Sequence, residues 1–159
     1  PTKASSKPAN TLPPGWTLHK DATGFQVPLP KGMHLARQRG TEKYFESDAG
    51  SGLLLIIDQT DQPKPDPVAD WKNLEDGRKG RVYRNYKRIR IDAVPNYFVK
   101  AADWEFEYTT AEGHAQHAQK RGFVVNNHQA YGISFYTTPQ EWKANLPTLQ
   151  AIYKGFKPA

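Results

Sequence analysis

Cysteine is absent from the 159 residues. Its absence excludes a disulfide scaffold, a thiolate metal site and a cysteine nucleophile. It leaves the compartment open, because exported proteins need no cysteine. No apolar run approaches the ~20 residues that a membrane-spanning helix requires. Serine is scarce, and none of Ser5, Ser6, Ser47, Ser51 and Ser134 lies in the G-x-S-x-G elbow of serine hydrolases. Neither G-x-x-x-x-G-K nor G-x-G-x-x-G occurs, so Gly50, Gly52 and Gly77 form no phosphate-cradling loop ahead of a helix. The first residue is Pro1, not Met, and the chain is expected to be a processed product or an excised fragment. Any signal peptide, anchor or neighbouring domain would then lie outside it.

Aromatics are abundant, with 4 Trp, 8 Tyr and 7 Phe. They fall in well-spaced clusters, which implies a packed core and one domain of ordinary size. Residues 1–14, PTKASSKPANTLPP, carry Leu12 as their single large apolar residue. Such a segment cannot bury enough surface to offset its chain entropy, so it reads as a flexible juxtamembrane-type linker, with the domain spanning 15–159. The formal net charge of +6 admits nucleic acid, an anionic membrane surface or an acidic polymer as partner, and fits plain solubility equally well.

Alternation and turn residues place short strands at 16–20, 24–27, 34–37 and 42–46. Pro28–Gly32 reads as a turn, because proline bars a central strand. Leu53–Asp58 is nearly continuous in apolar character and should be covered on both faces. Asp66 and Pro67 form a helix start, with Val68, Trp71 and Leu74 as the buried stripe of a helix running to about Lys79. In 86–94, Ile89 and Ile91 alternate with Arg88 and Arg90. In 97–109, Trp104, Phe106 and Tyr108 alternate with Asp103, Glu105 and Glu107. Strands over 114–125 and 129–137 follow. Thr138 and Glu141 match a capping box ahead of a C-terminal helix that Pro147 should bend or divide. Strands in succession without helical crossovers imply an α+β fold with a mainly antiparallel sheet covered by helices.

The residues offer little chemistry. His114 and His117 would point to opposite faces of a strand, which disfavours a metal pair and leaves exposed strand or turn histidines. Asp58, Asp61 and Asp66 share a loop without the glycine and glutamate of a calcium site, and Asp66 is used as a cap. Asp103, Glu105 and Glu107 resemble paired catalytic carboxylates less than ion-pair partners of Arg88 and Arg90. The four tryptophans sit in apolar patterns and read as core rather than as a ligand pocket. The basic stretch RKGRVYRNYKRIR (78–90) interleaves seven Lys/Arg with Tyr83 and Tyr86. That pattern suits single-stranded nucleic acid or another anionic ligand. It crosses a helix end, a loop and a strand, so its charges need not share a face.

The opening GWTLHKDATGFQVPLPKGM resembles PsbP-like domains, whose G-F-x-V-x-x-P-x-G turn is matched by Gly24, Phe25, Val27, Pro30 and Gly32. The rest is similar to an actinobacterial group in which this domain is the extracellular C-terminal part of a membrane-spanning serine/threonine protein kinase. The matching segments are DQTDQPKPDPVADW (58–71), AADWEFEYT (101–109), RGFV (121–124) and the pattern of Trp142, Leu146, Pro147, Phe156 and Pro158. The resemblance implies an α/β/α sandwich built on an antiparallel sheet, with residues 1–14 leading from a membrane helix. It supplies no ligand residues.

Together these readings describe a non-catalytic sensor or ligand-binding domain on the extracellular face of the membrane. No cofactor is expected in this fragment, since ATP and Mg would belong to a separate kinase domain. The expected partners are an extracellular ligand, an anionic cell-envelope component in particular, or a second copy of the chain. Nucleic acid is not expected, and the membrane is expected to be met only through a helix outside this chain. The expected ligand patch is Arg81, Arg84, Lys87, Arg88 and Arg90, with no catalytic or metal residues. A secreted or lipid-anchored PsbP-like binding protein without a kinase is the alternative. A hydrolase is disfavoured by the empty motif search.

Overall fold

The computed structural model describes residues 12–48 and 52–159. Most of the expected linker, residues 1–11, lies outside the described residues. Among the described residues nine strands and two α-helices follow in chain order: β1 (Thr17–Lys20), β2 (Gln26–Leu29), β3 (Met33–Arg39), β4 (Glu42–Ser47), β5 (Leu54–Thr60), α1 (Pro67–Arg78), β6 (Arg84–Ala93), β7 (Lys100–Thr109), β8 (Ala115–Asn126), β9 (Gln129–Thr137) and α2 (Trp142–Gly155). Seven strands form one sheet in the order β3-β4-β5-β9-β8-β7-β6, and β1 and β2 form a small hairpin of their own. Every strand pair is antiparallel. The fold is therefore α+β, as the succession of strands implies.

Two cores lie on opposite faces of the large sheet. One joins Phe45, Leu55, Ile57, Ile133 and Phe135 to β2 and to Leu149, Ile152 and Phe156. The other joins Trp104, Phe106, Ala118 and Tyr136 to Trp71 of α1. Strand β5 feeds both, with Leu55 and Ile57 in the first core and Leu54 and Ile56 packed on the second. Its unbroken apolar run thus reports a strand covered on both sides.

Helix α1 begins where the sequence signal places it. The Asp66 carboxylate accepts from the backbone N–H groups of Val68 at 3.0 Å and Ala69 at 3.2 Å. Those two donors would otherwise be unpaired at the helix start. The other helix departs from expectation. Thr138 makes no side-chain cap; a 3-10 turn over Pro139–Glu141 leads directly into α2. The capping box does not form because Glu141, which it needs as the third residue of an α-helix, ends the 3-10 turn instead. Pro147 lies inside α2, which runs through it as one element instead of dividing.

Pro28 also departs from the expected turn. It lies in β2 opposite Leu18, within a two-stranded hairpin where a missing N–H is tolerated at an edge. The close packing there depends on Gly155, since a Cβ at that position would sit 2.6 Å from Pro28.

Candidate functional site

The basic stretch is divided by two β-bulges in β6. The pairing with β7 slips between Arg84 and Lys87 and again between Arg88 and Arg90. Each bulge inserts one residue and resets which face the following side chains occupy. As a result Arg84, Lys87 and Arg90 register with Thr109, Glu107 and Glu105 on the α2 side of the sheet. Arg88 registers with Phe106 on the α1 side. Ile89 falls in the second bulge and is exposed. The expected alternation of Ile89 and Ile91 against Arg88 and Arg90 is therefore corrected: the two arginines point to opposite faces.

Two of the five candidate cations are tied to carboxylates. Arg88 donates through Nε to Glu75 at 2.6 Å and through Nη2 to the other oxygen of the same carboxylate, making a two-point pair. Tyr86 donates its hydroxyl to Glu75 as well, and Trp104 donates to the Tyr86 oxygen at 2.9 Å. Glu75 is 2 % exposed. Its carboxyl is held below the usual range chiefly by the Arg88 hydrogen bond, against the opposing effect of burial. Arg90 donates to Glu105 at 3.1 Å and Asp103 at 3.2 Å. Arg81, Arg84 and Lys87 are exposed and pair with no carboxylate among the described residues. Tyr83 is buried and Tyr86 packs on the same core. Neither ring is free to stack on a nucleic-acid base.

The acidic row of β7 forms a paired network on the α2 side. Asp103 is 2 % exposed and accepts both arms of Arg121, at 2.7 and 2.8 Å. The Arg121 guanidinium lies 3.8 Å from the ring centre of Tyr153 and 4.7 Å from that of Tyr97. His117, expected at the surface, is buried and stacks on Trp142 at 3.9 Å between ring centres. Its Nε2 lies 2.7 Å from Glu105 and its Nδ1 3.5 Å from Glu107. Both ring nitrogens thus face carboxylates, and neither is offered to a hydroxyl nucleophile. Sequence reading missed this histidine because its burial depends on Trp142, at the start of α2, stacking on it, a contact remote along the chain.

At the hairpin end of the sheet lies an open cleft of about 1100 Å³. Its walls come from the β1–β2 turn, the β3–β4 hairpin, the end of β5 and the β8–β9 turn, through Thr23, Thr41, Asp58, Gln59, Asn127 and Gln129. Lys43 lines it from below, donating to Gln38 at 2.8 Å and lying 3.6 Å from Asp21. Hydrogen bonds from Thr41 to Asp58 (2.5 Å) and from Gln59 to Thr23 (2.9 Å) hold the walls in place. Of these groups only the acidic loop of Asp58 and Asp61 stood out in the sequence, because the cleft is assembled from segments far apart in the chain. Among the described residues no cluster of three or more His, Cys, Asp or Glu could hold a metal ion. The spacing of Asp58, Asp61 and Asp66 thus brings no such group together.

Three depressed carboxyls set the acid response. Burial pushes Asp21 up, but hydrogen bonds from His19 and Thr23 and the charge of Lys43 more than reverse this, leaving it at about 2. In Glu105 burial is again outweighed, by His117 and then Arg90, and the carboxyl is lowered. Glu75 is lowered as described. Each folded-state value lies below its unfolded value, so on acidification the unfolded chain takes up protons first. The stabilisation is complete above about pH 5 and is lost as pH falls toward about 2. The thermal midpoint is expected to drop steadily across that window. A midpoint flat down to about pH 2 would contradict the pairing.

Comparison with known proteins adds a family and a fold. A family model described as "Serine/threonine kinase C-terminal domain" matches residues 17–158. No curated protein matches the chain significantly. Among solved structures, cyanobacterial PsbP from Synechocystis is similar with a TM-score of 0.68 at 12 % identity, covering 98 % of this chain and 99 % of that one. The Ran-binding protein Mog1p of Saccharomyces cerevisiae is similar with a TM-score of 0.63 at 13 % identity, covering 89 % and 94 %. LpqN of Mycobacterium tuberculosis, described as involved in cell envelope biogenesis, has a TM-score of 0.57 at 11 % identity, covering 90 % and 91 %. At such identities these structures show the shared PsbP-like fold.

Proposed function

The chain belongs to the family of serine/threonine kinase C-terminal domains, and from that premise we propose that it is the non-catalytic, extracellular ligand-binding domain of a receptor-like kinase. The ligand is an anionic component of the cell envelope, and its surface on this domain narrows to Arg81, Arg84 and Lys87. The observation that carries this reading is the contrast in charge pairing. Arg88, Arg90 and Arg121 are each locked onto buried carboxylates. Arg81, Arg84 and Lys87 stand exposed without such partners among the described residues. Arg90 and Arg121 tie β6 and β8 to Asp103 of β7, and Arg88 ties β6 to α1. The exposed cations keep their field for a partner in solution.

Signalling through such a domain requires that the ligand bind one state of the receptor more tightly than the other. A ligand with equal affinity for both states shifts nothing. The domain's location outside the cell is tested with a membrane-impermeant amine reagent applied to intact cells expressing the full parent chain. Lysines of this domain, Lys87 among them, should be labelled without permeabilisation. Labelling that appears only after the membrane is opened would contradict the reading. The sequence upstream separates a receptor kinase from an anchored binding protein: the first carries a kinase domain and one apolar helix, the second a signal peptide with a lipidated cysteine.

A further inference from the structure

A second concavity lies on the opposite sheet face from α2, beneath α1, with a volume of about 180 Å³ and one side open to solvent. It lies over a row of residues in which Asp58 of β5 registers with Gly132 of β9 and Gly132 with Gly122 of β8; the same row runs on to Ala102 of β7, outside the slot. The row is filled from one end. The Trp71 indole donates to the Ala102 carbonyl at 2.9 Å and lies directly over Gly122, where an added Cβ would meet it at 3.0 Å. Gly122 is therefore explained by the tryptophan. Gly132 is not: a Cβ added there would meet nothing within 4 Å. A glycine in the interior of a central strand weakens it and often marks a place where another molecule approaches the backbone closely. Here the space above Gly132 is open, walled by Trp71 and Leu74 on α1 and by Val124 and Ala130 on the sheet.

We propose that this slot over Gly132 binds a small amine-bearing ligand with a compact apolar body about the size of one aromatic ring. The volume sets the size, since a cavity of about 150 Å³ lined by apolar side chains holds benzene. The rim sets the charge. Asp58 from β5 and Asp70 from α1 line the slot against one cation, Lys64, a local balance opposite in sign to the +6 of the whole chain. The Asp70 carboxylate has no partner among the described residues, and Asp58 commits one oxygen, Oδ1, to Thr41 and to the Gln59 N–H. The apolar body lies over Gly132 against the edge of Trp71, and its ammonium reaches the two carboxylates. Asp58, Gln59 and Thr60 line both this slot and the larger cleft, so the slot leaves room for a longer ligand to continue from one into the other. The proposal is independent of the exposed cations of β6 and stands or falls separately from them.

The test is an NMR titration of the protein with benzylamine, reading the Trp71 indole N–H and the Gly132 amide, with benzyl alcohol and benzoate in parallel. Benzylamine should shift both signals saturably, and benzoate should bind at least tenfold more weakly. Gly132→Ala should fold with an unchanged or higher Tm and lose at least tenfold in benzylamine affinity, because its methyl enters the slot without touching the protein. Asp70→Asn should bring benzylamine down toward benzyl alcohol. The proposal is overturned if benzylamine gives no saturable shift at Trp71, if Gly132→Ala binds it as well as the parent, or if benzoate or benzyl alcohol binds equally tightly.

Discussion

Trp104→Ala should destabilise the domain by about 3–5 kcal/mol, the range for deleting a fully buried aromatic. Trp104 is completely buried and sits at the centre of the α1-side core. Its ring centre lies 4.5 Å from Phe106 and 5.7 Å from Trp71, and Lys120 is placed above it at 5.9 Å. The indole also donates to the Tyr86 oxygen at 2.9 Å, and Tyr86 in turn donates to Glu75. Alanine would open a cavity and weaken the orientation of the Glu75–Arg88 pair. Much of the loss should persist in a Tyr86→Phe background, since that change removes the hydrogen bond and leaves the packing. Urea unfolding checks the result. A midpoint within error of the parent would show that the α1-side core does not hold the fold together.

Asp103→Ala should cost a similar amount, about 3–5 kcal/mol, for a different reason: it leaves a buried cation without its counter-charge. Arg121 has a side chain 11 % exposed and gives Asp103 both of its donor arms. Arg90 and Gln119 reach the same carboxylate at 3.2 and 3.3 Å. Removing the carboxylate leaves Arg121 against Tyr97 and Tyr153 with no other carboxylate paired to it among the described residues. The second substitution separates pairing from packing. Asp103→Ala combined with Arg121→Met should be less destabilised than Asp103→Ala alone, because an apolar pair carries no unpaired charge. If the double variant is the worse of the two, side-chain packing and not charge is the dominant contribution.

Elements with strong local signals were legible in the sequence. The alternation of 103–108 places Trp104, Phe106 and Tyr108 on one face because β7 lies in the sheet interior, where the period of two is uninterrupted. Asp66 and Pro67 start α1 because a cap and a preset φ act within three residues. Features fixed by distant contacts were not legible. The bulges in β6 depend on how it pairs with β7, so the run Arg88–Ile91 gave a false alternation. At an edge strand, bulges and charges also block pairing with a second chain, which gives this irregularity a physical use. Pro28 entered a strand because that strand belongs to a two-stranded hairpin rather than to the main sheet.

The site was less legible than the fold. The stretch 78–90 mixes two kinds of cation, those locked onto Glu75, Asp103 and Glu105 and those facing solvent. Only the positions of the acidic partners distinguish them, and those partners lie 13 to 15 residues away. Gly132 is a plainer case. In the sequence it is one glycine in an apolar strand; its meaning comes from Trp71 filling the neighbouring site and stopping short of it.

Co-sedimentation with vesicles decides whether the exposed cations form a ligand surface. The domain is mixed with phosphatidylglycerol-containing vesicles, with neutral phosphatidylcholine vesicles and with purified anionic wall polymer, at rising salt. Binding to at least one anionic partner should be clear at low salt, weaken as salt screens the contacts, and disappear in the Arg81→Glu, Arg84→Glu, Lys87→Glu triple variant while its Tm is retained. Equal binding by the triple variant, binding insensitive to salt, or no preference for either anionic partner over neutral vesicles would contradict an anion-binding role for this face.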